Sequence, residues 1–73
     1  MKIIYDKKAD AVYIQLSELQ PDGVVEISEG INIDTTGDNK LVGIEILDAS
    51  NKLDLQTILS YHLEMDNIDL NRT

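Results

Sequence analysis

From Ile3 to Ile46 the apolar residues of this chain fall on alternate positions. Ile3 and Tyr5 are in phase, as are Val12, Ile14 and Leu16, then Val25, Ile27, Ile31 and Ile33, then Val42, Ile44 and Ile46. A side-chain period of two belongs to a strand with one face buried, so the pattern demands a sheet with an apolar face to cover. The polar run Asp6-Lys7-Lys8-Ala9-Asp10 supplies the first reversal. Setting Tyr5 opposite Val12 and Ile3 opposite Ile14 then places the apolar residues on one side. Pro21-Asp22-Gly23 is turn chemistry, since proline presets φ and glycine accepts positive values. The in-phase set from Val25 to Ile33 continues across Glu29-Gly30. A two-residue hairpin there would oppose Ser28 to Ile31 and Ile27 to Asn32, apolar against polar. The pattern therefore predicts one long strand over residues 24–35, bent at Gly30. Thr36-Gly37-Asp38-Asn39 reads as a hairpin loop that sets Ile33 opposite Val42 and Ile31 opposite Ile44.

After Leu47 the period changes. Leu55, Ile58, Leu59 and His62 follow helical spacing, with Ser50 or Asn51 as N-cap and Asp54 in the first turn. The expected fold class is α+β: a four-stranded antiparallel β-meander with strands near residues 2–5, 11–17, 24–35 and 40–47, packed by one C-terminal helix near 51–63. Residues 1–63 form a single domain in this reading, and the polar residues 64–73 a frayed tail.

Composition bounds the function. A chain of 73 residues buries only about 60% of its unfolded surface. It has no cysteine to add a disulfide or a thiolate–metal staple, so a self-pairing surface, and with it a homodimer, is a natural source of the missing stability. The absence of cysteine also fits a reducing cytoplasm. No apolar run reaches the length of a transmembrane helix, and Asp6, Lys7, Lys8 and Asp10 interrupt any secretory core. The formal charge is -8. Residues 21–50 contribute most of it, with Asp22, Glu26, Glu29, Asp34, Asp38, Glu45 and Asp48 set against Lys40 alone. Such a field repels nucleic acid and anionic membranes and attracts basic proteins or cations.

Catalytic chemistry finds little purchase, and no enzyme is expected. There is no cysteine, and the single histidine, His62, falls on the apolar phase of the expected helix. No serine sits in a nucleophile motif, no phosphate-binding glycine pattern occurs, and no zinc set can be assembled. Asp34, Thr36, Asp38 and Glu45 match four ligand positions of a calcium loop. Asn39 stands where that loop needs glycine, and strands rather than helices flank it. Paired carboxylates for glycoside hydrolysis would need a cleft that so small a sheet does not offer. No cofactor is called for.

One constellation remains. With the alternating set facing the helix, the opposite sheet face carries Tyr13, Gln15, Glu26, Asn32, Asp34, Leu41, Gly43 and Glu45. Gly43 should leave a dent there, with Asn32 opposite and Asp34 and Glu45 diagonal to it. Leu41 and Leu47 add apolar surface on this side. Two uses suit such a face: a docking site for a basic protein, or a small-ligand or divalent-cation site built from Asp34, Glu45 and Asp10.

Tyr5-Asp6, Ala9-Asp10-Ala11-Val12-Tyr13-Ile14-Gln15-Leu16, Gly30-Ile31 with Asp34, and Leu41-Val42-Gly43-Ile44-Glu45-Ile46-Leu47-Asp48-Ala49-Ser50 together resemble the small bacterial proteins grouped as domain of unknown function 2283. The likeness spans roughly residues 1–53, and the stretch from Gly43 to Ser50 is its most specific part. It implies a compact bacterial domain of this length with an antiparallel sheet and no established activity. Through members that neighbour small toxin-like proteins, it implies an antitoxin-like role. The family's recurring polar positions map onto Asp10, Tyr13, Asp34 and Glu45. The expected partner surface therefore comprises Asp10, Tyr13, Glu26, Asn32, Asp34, Leu41, Gly43 and Glu45.

Overall fold

The computed structural model describes residues 1–60. The end of the expected helix, His62 and the expected tail lie outside them. The first hairpin forms as the alternation requires. Strands β1 (Lys2–Asp6) and β2 (Ala11–Gln15) pair antiparallel with Ile3 opposite Ile14 and Tyr5 opposite Val12. Asp6 shapes the turn by accepting the Lys8 and Ala9 amides at 3.0 and 3.2 Å. Asp10 completes it with φ of 50°, a left-handed conformation that Asp and Asn tolerate better than most residues.

The expected α+β class with an antiparallel sheet holds, but the sheet has five strands rather than four. The segment read as one bent strand is a hairpin: β3 (Gly23–Ser28) and β4 (Ile31–Thr35) turn about Glu29-Gly30, where Gly30 has φ of 75°. A bulge resolves the mismatch that argued against this hairpin. Ser28 lies opposite Ile31, but Ile27 drops out of the ladder, so that Glu26 meets Asn32 and Val25 meets Ile33. One extra residue on β3 thus restores apolar-on-apolar pairing, the usual consequence of a bulge.

Strand β5 (Leu41–Leu47) follows a loop over residues 36–40 and lies between β4 and β2, giving the order β1-β2-β5-β4-β3. Strands β3, β4 and β5 form a meander. The β2–β3 connection, instead of a tight reversal at Pro21-Asp22-Gly23, runs past β5 and β4 to the far edge of the sheet. It is pinned at both ends. The Leu16 and Ser17 amides donate to the Val42 carbonyl, the Asp22 amide donates to the Thr35 carbonyl, and the Asp22 carboxylate accepts the Gly37 amide at 2.8 Å. The β4–β5 register also differs from expectation: Ile33 faces Ile44 and Ile31 faces Ile46, two residues further along, with an irregularity near Val42. A slip of two preserves the faces, whereas a slip of one would have inverted them.

Two short helices replace the expected single one: α1 (Ala49–Lys52) and α2 (Leu55–Leu59). The break falls at Leu53, which is extended, and at Asp54, whose carboxylate caps α2 by accepting from the Thr57 amide and hydroxyl. Asp48, not Ser50 or Asn51, begins α1, with φ of 54°. Ala49 is wholly buried and packs with Val12 and Ile46. Leu53, Leu55, Ile3, Tyr5, Ile14, Ile31 and Ile44 surround that nucleus. The helical segment therefore covers the middle of the sheet, and Val25, opposite Ile33, remains 53% exposed. No helix among the described residues is long and apolar enough to cross a membrane.

Candidate functional site

The face away from the helices is organised as rows of side chains that run across the strands. One row reads Ile4, Tyr13, Glu45, Asn32, Glu26; its neighbour reads Lys2, Gln15, Gly43, Asp34, Val24. Tyr13, Gln15, Glu26, Asn32, Asp34, Gly43 and Glu45 thus share one face, as the alternation predicts. Their relative positions differ, because the two-residue register difference puts Asp34, not Asn32, opposite Gly43 and sets Asn32 opposite Glu45. Leu41, expected on this face, is not on it: the irregularity at Val42 sets Leu41 opposite Thr35, on the side of Ile31 and Ile33, where it is half exposed. Leu47 is opposite Ala11, in the row beside Tyr13.

The dent expected at Gly43 is filled. A Cβ on Gly43 would overlap the hydroxyl and ring of Tyr13, and its separation from the Tyr13 Cε1 would be only 3.0 Å. Glycine is needed here for room, since Gly43 is not among the residues with positive φ. The ring thereby lies across β5, and the Tyr13 hydroxyl donates to Asp34 Oδ2 on β4 at 3.0 Å. Desolvation is the main cause that raises the Tyr13 pKa, followed by the bond to Asp34 and the charges of Asp34 and Glu45. Beside it, Asn32 Nδ2 donates to Glu45 Oε1 at 3.2 Å. Two polar bonds therefore tie β2 to β4 and β4 to β5 across the same patch. Ile4, Tyr13, Glu45 and Leu47 also border a shallow cleft of about 300 Å³.

Asp10 does not belong to this patch. Its carboxylate accepts the Tyr5 hydroxyl at 2.9 Å, the Ser50 amide at 3.0 Å and the Ser50 hydroxyl at 2.7 Å, while its carbonyl accepts the Ala49 amide. The first hairpin is clasped to the start of α1 through these bonds. The Ser50 hydroxyl is the largest cause that lowers the Asp10 pKa; the Tyr5 hydroxyl, the Ser50 amide and the charge of Lys52 act in the same direction, against desolvation. The bond to Asp10 in turn raises the Tyr5 phenol. Tyr5, five residues from Asp10, counts as an apolar strand residue in the alternation, and 40 residues separate Asp10 from Ser50, so neither stands out in the sequence as its partner. Only the presence of Asp10 and the Asp48-Ala49-Ser50 stretch in the same family likeness hinted at a link.

A folded-state pKa below the unfolded value stabilises the fold above the ordinary carboxylate range near pH 3.9, and that contribution is lost as pH falls through the lower folded value. Asp10→Asn, which keeps the left-handed preference but removes the charge, should therefore be less stable than the parent at neutral pH. The gap should close on acidification from about pH 5 to pH 2. Denaturant midpoints for both proteins across that range test this, and a gap independent of pH would exclude the charged clasp.

A cation site gains nothing from the geometry. Asp34 and Glu45 lie in adjoining rows and are each engaged by a neighbour, Asp10 is committed to the clasp, and no three candidate ligands converge among the described residues. Among those residues one ion pair occurs, Lys40 with Asp38 at 3.9 Å, and both side chains are well exposed. Glu26, Asp34 and Glu45 have no basic partner among them. No curated protein and no solved structure matches this chain. The family model described as a protein of unknown function (DUF2283) matches residues 2–50, ending at the serine that closes the Asp10 clasp. The chain belongs to that family.

Proposed function

We propose that this protein is a non-enzymatic interaction module, antitoxin-like in use, that presents the face bearing Glu26, Asp34 and Glu45 to a basic protein. The observation that carries the reading is the distribution of charge across that face. Lys2 is at its β1 end, and the acids lie on β5, β4 and β3, with no basic side chain paired to them among the described residues. Tyr13 and Asn32 hold two of the three carboxylates in place, so a partner's lysine or arginine would meet acceptors already ordered. The cleft by Ile4, Tyr13 and Leu47 offers apolar contact beside the charges.

The test uses a partner captured from the source organism and then purified. Glu26→Lys combined with Glu45→Lys should weaken its binding by about tenfold or more, mainly through slower association, and the parent affinity should fall steeply with salt. Equal binding by parent and variant, with no salt dependence, would sink the reading.

A further inference from the structure

Strand β3 forms one end of the sheet, and all six of its residues are exposed. Val24, Val25 and Ile27 are 66%, 53% and 58% exposed, although Val25 shares the face that the helices cover further in. The other edge is different. Strand β1 begins with Lys2, and its Ile3 and Tyr5 pack against the core. Edge strands are commonly guarded by lysine or by a bulge; β3 has no lysine, since no lysine or arginine occurs between Lys8 and Lys40, and its bulge at Ile27 leaves Gly23–Glu26 as the regular part of the edge. Acids punctuate the segment instead, with Asp22 before the strand, Glu26 within it and Glu29 after it.

We propose that the β3 edge is a strand-addition site that takes an extended segment of a basic partner, with apolar and basic residues alternating along it. Main-chain hydrogen bonds to β3 would supply affinity, and side chains on alternate positions would supply selection. Apolar residues of the incoming strand would lie beside Val25, and its lysines or arginines beside Glu26 on the acidic face. Charge complementarity selects this occupant over a second copy. Another copy would bring its own -8 and its own Asp22, Glu26 and Glu29 to the same edge. The inference rests on the basic-partner reading above and adds where and in what conformation that partner is held.

The probe is a synthetic peptide of about seven residues alternating lysine and valine, compared with the same peptide N-methylated at alternate residues and with a glutamate–valine version. Titration into isotope-labelled protein, followed by amide resonances and hydrogen exchange, should shift and protect Gly23–Ser28 with the lysine–valine peptide. N-methylation should weaken binding by about tenfold or more while leaving every charge in place. Val24→Lys combined with Ile27→Lys, at exposed positions of the edge, should weaken it comparably. Equal binding of the N-methylated peptide, or shifts confined to Tyr13, Asp34 and Glu45, would overturn strand addition and leave the basic-partner reading standing. Equal binding of the glutamate–valine peptide would overturn the basic selection, and binding by none of the peptides would overturn the site. Sedimentation of the protein alone closes the comparison: a dimer that Val24→Lys dissociates would assign the edge to a second copy and overturn the proposal.

Discussion

Gly43→Val should destabilise the protein by about 1–3 kcal/mol, the range for forcing volume into a packed site. The same change in a Tyr13→Ala background should be neutral or stabilising. The reversal follows from why glycine stands at this position. Its backbone does not require positive φ, so valine would ordinarily improve a strand interior. Only the Tyr13 ring, lying across β5 to reach Asp34, forbids a side chain there. The ring can escape by rotating away, but it then loses the Asp34 bond and leaves that carboxylate without its donor on β2. Chemical denaturation of the four proteins of this cycle gives the coupling directly. Additive effects would mean that the ring does not occupy the space over Gly43. Partner binding measured on the same variants would separate a structural use of Tyr13 from a contact use.

A second expected result concerns where the core lies. Ile46→Ala should cost about 2–5 kcal/mol, as truncation of a buried isoleucine usually does. That is a large fraction of the total stability of a domain this size. Val25→Ala, on the same side of the sheet, should change stability by no more than about 0.5 kcal/mol. The contrast arises because Ile46 contacts Val12 and Ala49 beneath the helical segment, whereas Val25 lies on the β3 edge and is about half exposed. Thermal or denaturant unfolding of the two variants decides it. A comparable loss from Val25→Ala would show that the β3 edge is covered in solution, and a second copy there would make the loss depend on protein concentration.

The alternation predicted several features from local pattern alone. Ile3–Ile14 and Tyr5–Val12 pair as the period of two requires, and Val12, Ile14, Ile31, Ile33, Ile44 and Ile46 share the covered face. Seven of the residues expected on the opposite face are on it. This worked because face depends only on parity, and a register difference of two residues leaves parity intact. Three features were not legible. Strict alternation makes the β3–β4 hairpin a continuous strand, because the bulge at Ile27 is invisible to it and without that bulge the pairing is unfavourable. The insertion of β5 between β2 and β4 depends on long-range pairing that no local signal encodes, since residues 16–22 carry turn chemistry compatible with a short or a long connection. The helix broke at Leu53 because Asp54, which suits a first turn, also makes a good N-cap.

The order of residues alone establishes the class of fold, the two faces of the sheet and the concentration of negative charge on one stretch of chain. Those are properties of period and composition, and they survive errors in strand order. The folded arrangement sets which polar residues meet. It brought Asp10 to Ser50 across 40 residues, laid Tyr13 over Gly43 onto Asp34, and left β3 at an exposed edge. Each of these depends on which strands become neighbours and in what register, and that is settled by burying Val12, Ile46 and Ala49 together rather than by any residue's local preference.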